Sequence, residues 1–193
     1  TTGSATFDSA MTSVTAPTRT GYTFEGWYKE SSCLNAWNFD VDTVNANTTL
    51  YAKWSKNTYT ITFKDGDSTI GSKSVLYDEA IQYIETPTKT GHQFISWYKD
   101  ADLTEEFIDT KMPASDLVLY AKFTVNKHTL RFDVEGNVTS STVEYGAVIN
   151  KPADDPFKLG YTFIGWYNND TLFNFTDAKM PDADLTLTAK FEA

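Results

Sequence analysis

The chain has 193 residues, 26 of them acidic and 16 basic, giving a formal net charge of −10 with no lysine–arginine cluster to offset it. That balance argues against nucleic acid as a partner, and against anionic membrane surfaces and heparin-like polymers, because binding to polyanions needs concentrated positive charge. No run of 18 apolar residues occurs, so no membrane insertion is expected, and the one cysteine, Cys33, permits no disulfide within the chain.

In chain order, the opening Thr1-Thr-Gly-Ser has neither the basic nor the apolar region of a signal peptide and reads as the edge of a piece of something longer. Pro17-Thr-Arg-Thr-Gly21 is a loop that re-aims the chain, since proline fixes φ and glycine permits a tight bend. A strand follows, Gly21-Tyr-Thr-Phe-Glu-Gly-Trp27-Tyr28, then a polar stretch containing Cys33 and Trp37, and a second strand at Leu50-Tyr-Ala-Lys-Trp54. Ser55 to Thr58 forms a short linker with no glycine to loosen it.

The same text then returns. Gly91-His-Gln-Phe-Ile-Ser-Trp97-Tyr98 and Gly160-Tyr-Thr-Phe-Ile-Gly-Trp166-Tyr167 repeat the first strand, with the glycines 70 and 69 residues apart, while Leu119-Tyr-Ala-Lys-Phe123 and Leu187-Thr-Ala-Lys-Phe191 repeat the second in step. A period near 70 is longer than that of solenoid repeats that depend on neighbours for a core, so three small domains are expected, at 1–54, 59–123 and 128–193.

The second repeat shows the full set of elements. In Tyr59-Thr-Ile-Thr-Phe63 apolar residues alternate with threonine, the period of a half-buried strand. Lys64-Asp65-Gly66-Asp67 supplies a turn, and Ser72 to Tyr77 returns as the second arm of a β-hairpin. Asp78 to Ile84 is compatible with two helical turns, but its counterpart Gly146-Ala-Val-Ile-Asn150 is a poorer helix former, so at most one short helix per repeat is expected. After the Pro87–Gly91 loop, the Trp97 strand and a polar stretch, Met112-Pro-Ala-Ser-Asp-Leu117 leads into a final strand, echoed by Met180-Pro-Asp-Ala-Asp-Leu185. The fold class is therefore mainly β, each repeat a mostly antiparallel sheet with one apolar face that buries Phe63, Trp97, Leu119 and Phe123 together. The linkers Ser55–Thr58 and Thr124–Lys127 are short enough for neighbouring repeats to touch beside them.

The first repeat is incomplete. Opening strands start 28 residues before Pro87 and Pro156, whereas Pro17 has only 16 residues ahead of it, so Thr1 to Phe7 corresponds to the second arm of a hairpin whose first arm is missing. Unpaired backbone and exposed apolar surface should make this repeat the least stable and open it to strand exchange with a neighbouring molecule or to completion upstream.

The order Tyr145-Gly-Ala-Val-Ile149, Pro156-x-Lys-x-Gly-Tyr-Thr-Phe-x-Gly-Trp-Tyr167, Met180-Pro-x-x-Asp-Leu-Thr-Leu-x-Ala-x-Phe191 resembles the Listeria–Bacteroides repeat, the family of the internalin B-repeats. The resemblance covers nearly the whole chain. The departures are His92-Gln93 and Ser96 in the second repeat and Val44-Asn45, where Met-Pro is expected, in the first. The resemblance implies a β-grasp, ubiquitin-like fold for each repeat, and a secreted bacterial cell-surface protein in which such repeats form the stalk or adhesive portion. It supplies no catalytic motif to carry over.

Candidate chemistry is sparse. Cys33 has no histidine near it in sequence and no counterpart in the other repeats, so it reads as an incidental small side chain. His92 and His128 lack metal-ligand spacing, and Asp65-Gly66-Asp67 lacks the further oxygens of a calcium loop, so no metal and no cofactor is expected. Trp27, Trp97 and Trp166 read as core rather than as sugar platforms, whereas Trp37 lies in a polar stretch where the third repeat has Phe173 and is the one aromatic residue proposed for ligand contact. Lys53, Lys122 and Lys190 read as outward-facing lysines that protect a sheet from aggregation rather than as isopeptide donors. Two functions follow: a non-catalytic stalk, or an adhesion module recognising a host or matrix protein or glycan. The residues that recur are mostly core and turn positions, which favours the stalk.

Overall fold

The structure is a computed structural model and describes residues 2–193. Among these residues it is built of strands and irregular connections, with no helix. In the first repeat the strands are β1 (Ser9–Ala10), β2 (Tyr22–Tyr28), β3 (Thr43–Val44) and β4 (Tyr51–Lys56). The second contributes β5 (Thr58–Asp65), β6 (Ser68–Leu76), β7 (His92–Tyr98) and β8 (Leu117–Val125). The third contributes β9 (Lys127–Val134), β10 (Asn137–Glu144), β11 (Thr162–Asn168), β12 (Thr171–Leu172) and β13 (Leu185–Glu192).

The second and third repeats share one design. Their sheets run β6-β5-β8-β7 and β10-β9-β13-β11-β12. The hairpins β5–β6 and β9–β10 are antiparallel, while the opening strand pairs in parallel with the last one, Ile61 opposite Leu117 and Phe63 opposite Leu119, then Leu130 opposite Leu185 and Phe132 opposite Leu187. The alternating apolar residues of the central strands meet on one face. Phe63 lies edge-on to Trp97 with ring centroids 4.7 Å apart, and Phe132 lies edge-on to Trp166 at 4.8 Å. Ile61, Phe63, Leu119 and Met112 are buried in the second repeat, and Ile149, Met180 and Leu187 belong to one buried core in the third. Trp97 and Trp166 retain 7% and 3% of their surface. Phe123 departs from expectation: it is only half-buried and packs edge-on against Phe94 at 5.8 Å.

The recurrent aspartate of the Met-Pro-x-x-Asp-Leu motif fastens the opening strand. Asp116 accepts the Thr60 backbone N–H at 2.7 Å, and Asp184 accepts that of Thr129 at 2.8 Å. Hydrogen bonds from the Thr129 backbone N–H and then from Arg131 hold Asp184 below the usual aspartate range. The recurrent lysine is explained by pairing across strands: Lys53 lies over the Tyr28 ring at 5.0 Å, and Lys190 over Tyr167 at 4.5 Å while also meeting Asp170.

No helix forms over Asp78–Ile84, because its backbone groups are taken by the facing segment. Asp78 N–H donates to Met112 O, Ile81 N–H donates to Thr110 O, and Asp78 itself has φ of 61°. The first repeat differs most. β2 and β4 pair with each other, β1 pairs with β3, and no strand lies on the other side of β4 among the described residues. Residues 2–7 are not in a strand. Before Ile61 no hydrophobic side chain is fully buried among the described residues.

By their contacts the residues group into two compact units, Thr1–Glu85 with Trp97–Tyr120, and Thr86–Ser96 with Ala121–Ala193. Each junction between consecutive repeats falls inside one of these units.

Candidate joint between repeats

The linkers are tighter than their sequence predicts. β4 ends at Lys56 and β5 begins at Thr58, β8 ends at Val125 and β9 begins at Lys127, so a single asparagine, Asn57 or Asn126, separates one repeat from the next. Each asparagine uses both of its backbone groups to hold the two repeats together. Asn57 N–H donates to Gly21 O at 2.9 Å and Asn57 O accepts from Tyr77 N–H at 2.8 Å; Asn126 N–H donates to Gly91 O at 2.8 Å and Asn126 O accepts from Tyr145 N–H at 2.9 Å.

The glycine that opens the Trp strand is the seat of this joint. Gly21 and Gly91 are buried, with φ of 77° and 69°, and a Cβ there would lie 2.3 Å from the Tyr77 ring and 1.9 Å from the Tyr145 ring respectively. Only glycine combines that backbone with so close an approach. The next residue adds an edge-on contact, Tyr22 to Tyr77 at 5.6 Å and His92 to Tyr145 at 6.2 Å. Thus a tyrosine at the end of each repeat's hairpin sits on the glycine of the repeat before it. Gly160, in the third repeat, has φ of 80° but is exposed, and a Cβ there would meet nothing within 4 Å; the neighbouring Tyr161 keeps 46% of its surface. At the other end Phe7, which stands where Tyr77 and Tyr145 stand, is 76% exposed.

The two joints are sealed by different side chains. At the first, Thr23 Oγ1 donates to Asn57 Oδ1 at 2.6 Å, and Lys56 pairs with Glu79. At the second, Asp182 takes this place: it accepts from Gly91 N–H at 3.0 Å and from Asn126 Nδ2 at 2.8 Å, and its Oδ1 lies 2.8 Å from His128 Nε2. The Asn126 amide first, then His128 and the Gly91 N–H, hold Asp182 below its ordinary value of 3.8. A carboxyl with a lowered folded-state pKa contributes stability that is complete above its unfolded pKa and is lost as pH falls through the folded one. The second joint is therefore expected to loosen in acid, below the ordinary aspartate range, in a titration of its Asn126 and Tyr145 amide resonances. Asp182→Asn should remove that transition, and an unchanged transition in the variant would show that Asp182 does not hold the joint.

The residues singled out from sequence lie elsewhere. Trp37 is half-buried, donates its backbone N–H to Trp27 O at 2.7 Å, and packs edge-on to Phe39 at 6.4 Å. Phe107 and Phe173 make the same backbone bond, to Trp97 O and Trp166 O. The indole N–H of Trp37, like those of Trp27 and Trp166, is shielded from solvent without a hydrogen-bond partner. Cys33 lies in a turn with φ of 50°, its thiol 3.7 Å from Ser31 O. His92 Nδ1 lies 2.8 Å from Thr90 O, so both histidines are engaged at the second joint. Among the described residues no cluster of His, Cys, Asp or Glu is arranged to hold a metal, and no helix is long and apolar enough to cross a membrane.

Comparison with known proteins matches the family model described as the Listeria-Bacteroides repeat domain three times, over residues 1–53, 59–122 and 128–190. Internalin H of Listeria monocytogenes is 40% identical over 138 residues, 69% of this chain and 25% of its own length. Two proteins of Evansella cellulosilytica, both provisionally named as membrane proteins and one of them as Gly-rich, are 38% and 34% identical over 170 and 194 residues, which cover 86% and 97% of this chain. The chain spans 26% and 22% of the length of those two relatives.

Proposed function

The chain belongs to the Listeria–Bacteroides repeat family, and from that membership we propose that it is a non-catalytic spacer segment of a secreted bacterial cell-surface protein, carrying other domains away from the cell. The observation that carries this reading is the joint. A tether that only has to connect two domains can be flexible, whereas here each linker is one residue whose backbone N–H and C=O are both spent on cross-repeat hydrogen bonds. The glycine seat recurs at Gly21 and Gly91, each closed by the tyrosine of the following repeat. The names of the relatives, an internalin and two membrane proteins, support placement at the cell surface.

A panel of host glycans and matrix proteins presented to the purified chain tests the reading. A spacer gives no saturable binding. Saturable binding that Trp37→Ala abolishes would replace it with the adhesion-module reading.

A further inference from the structure

The third repeat leaves one strand edge without the devices that protect its counterpart. β10 is an outermost strand of its sheet and pairs only with β9, so alternate residues turn their N–H and C=O outward. Among the described residues, positions 138–143 make no backbone hydrogen bond beyond those to β9. Such an edge is a template for another strand unless charge, proline or a bulge blunts it. β6, at the same place in the second repeat, is blunted twice. Lys73 stands near its middle, and a bulge at Ile70 breaks the register, with Phe63 opposite Gly71 but Lys64 opposite Thr69. In β10 Ser141 takes the place of that lysine, counting back from Tyr145 as Lys73 is counted from Tyr77, and the register to β9 runs unbroken from Asn137 to Glu144. Residues 137–143 include no charge and no proline, and Glu144, at the end, faces Lys127 at 3.5 Å.

An apolar patch adjoins this edge. Lys158 pairs with Glu135, in the turn that opens β10, and on either side of that lysine Phe157 and Leu159 keep 84% and 85% of their surface. The other repeats have threonine at both positions, Thr18 and Thr20, then Thr88 and Thr90. A following repeat does not cover either feature: the first and second repeats each have one, yet these four threonines are exposed, and β6 is an outermost strand.

We propose that the outer edge of β10 is a self-association surface, pairing antiparallel with β10 of a second copy across a two-fold axis and joining two five-stranded sheets into one. The sequence of the edge singles out a second copy as the occupant. A two-fold axis sets one residue opposite its own copy and its neighbours opposite each other in reverse order. Centred at Ser140, it sets Val138 opposite Thr142, Asn137 opposite Val143 and Glu144 opposite Gly136, so no like charges meet although the chain carries a net charge of −10. Phe157 and Leu159 lie where the far end of the second copy's strand arrives, and their burial there adds to the backbone bonds. This contact between copies goes beyond the spacer reading and holds or fails independently of it.

Sedimentation of the full chain over a range of concentrations, with amide hydrogen exchange at each, tests the pairing. The expected result is a concentration-dependent dimer in which β10 amides gain protection and those of β12, at the opposite edge of the same sheet, do not. Ser141→Lys, which restores the lysine of the second repeat, should weaken dimerisation about tenfold or more. Thr171→Lys, in β12, should leave it unchanged. A chain that stays monomeric, even one whose β10 takes up an added threonine–valine peptide, would overturn the proposal, as would a dimer that Ser141→Lys leaves intact or that Thr171→Lys weakens equally.

Discussion

Replacing Gly91 with alanine is expected to open the joint between the second and third repeats. Two penalties act together. Alanine at φ of 69° carries the left-handed cost of about 1–2 kcal/mol, and its Cβ would sit 1.9 Å from the Tyr145 ring, which must leave its seat. Overpacking of this kind typically adds about 1–3 kcal/mol. Gly160→Ala separates the two, since Gly160 has a similar φ of 80° with nothing within 4 Å of the added carbon. Gly91→Ala should therefore destabilise by about 1–3 kcal/mol more than Gly160→Ala in chemical unfolding, and should release the Tyr145 and Asn126 amides to exchange. Equal losses in the two variants would mean that the glycine recurs for its backbone alone.

Trp97→Ala and Trp166→Ala are each expected to cost about 3–5 kcal/mol, the scale for removing a buried large aromatic side chain. Trp97 and Trp166 form the floors of closed cores against Phe63 and Phe132. Trp27→Ala should cost markedly less, although the three tryptophans occupy one motif position. Trp27 is half-buried, in a repeat whose β2–β4 pair has no further strand beside it among the described residues, and it packs edge-on to Phe24 at 5.4 Å. Unfolding monitored separately in each repeat checks the contrast, and a Trp27 cost matching that of Trp97 would show that the first repeat closes its core by other means.

Much of this arrangement was legible in the sequence, for an identifiable reason. Strand faces are set by alternation within a few residues, so Ile61 and Phe63, or Leu185 and Leu187, declare their burial locally. What lay beyond the sequence was what each recurrent residue touches. Gly21 and Gly91 read as turn glycines, and nothing local says that a tyrosine more than fifty residues downstream sits on them. Asn57 and Asn126, with Tyr77 and Tyr145, recur in step with the glycines and are the available signal; the shortness of the linkers shows that the repeats touch there, but not which groups meet. Asp78–Ile84 failed in the opposite sense. Its helical spacing is real, but hydrogen bonds to Met112 and Thr110 override it. Trp37 lies in a polar stretch, which leaves its burial open in the sequence, and its backbone bond to Trp27 O draws it inward at the position of Phe107.

The central claim is that consecutive repeats are locked through a one-residue joint. Amide hydrogen exchange at Asn57, Tyr77, Asn126 and Tyr145 in the intact chain tests it most directly, because these four N–H groups make the joint hydrogen bonds. Protection comparable to that of the central strand amides at Ile61 and Leu130 is the expected result, and exchange at the rate of an open linker would contradict it.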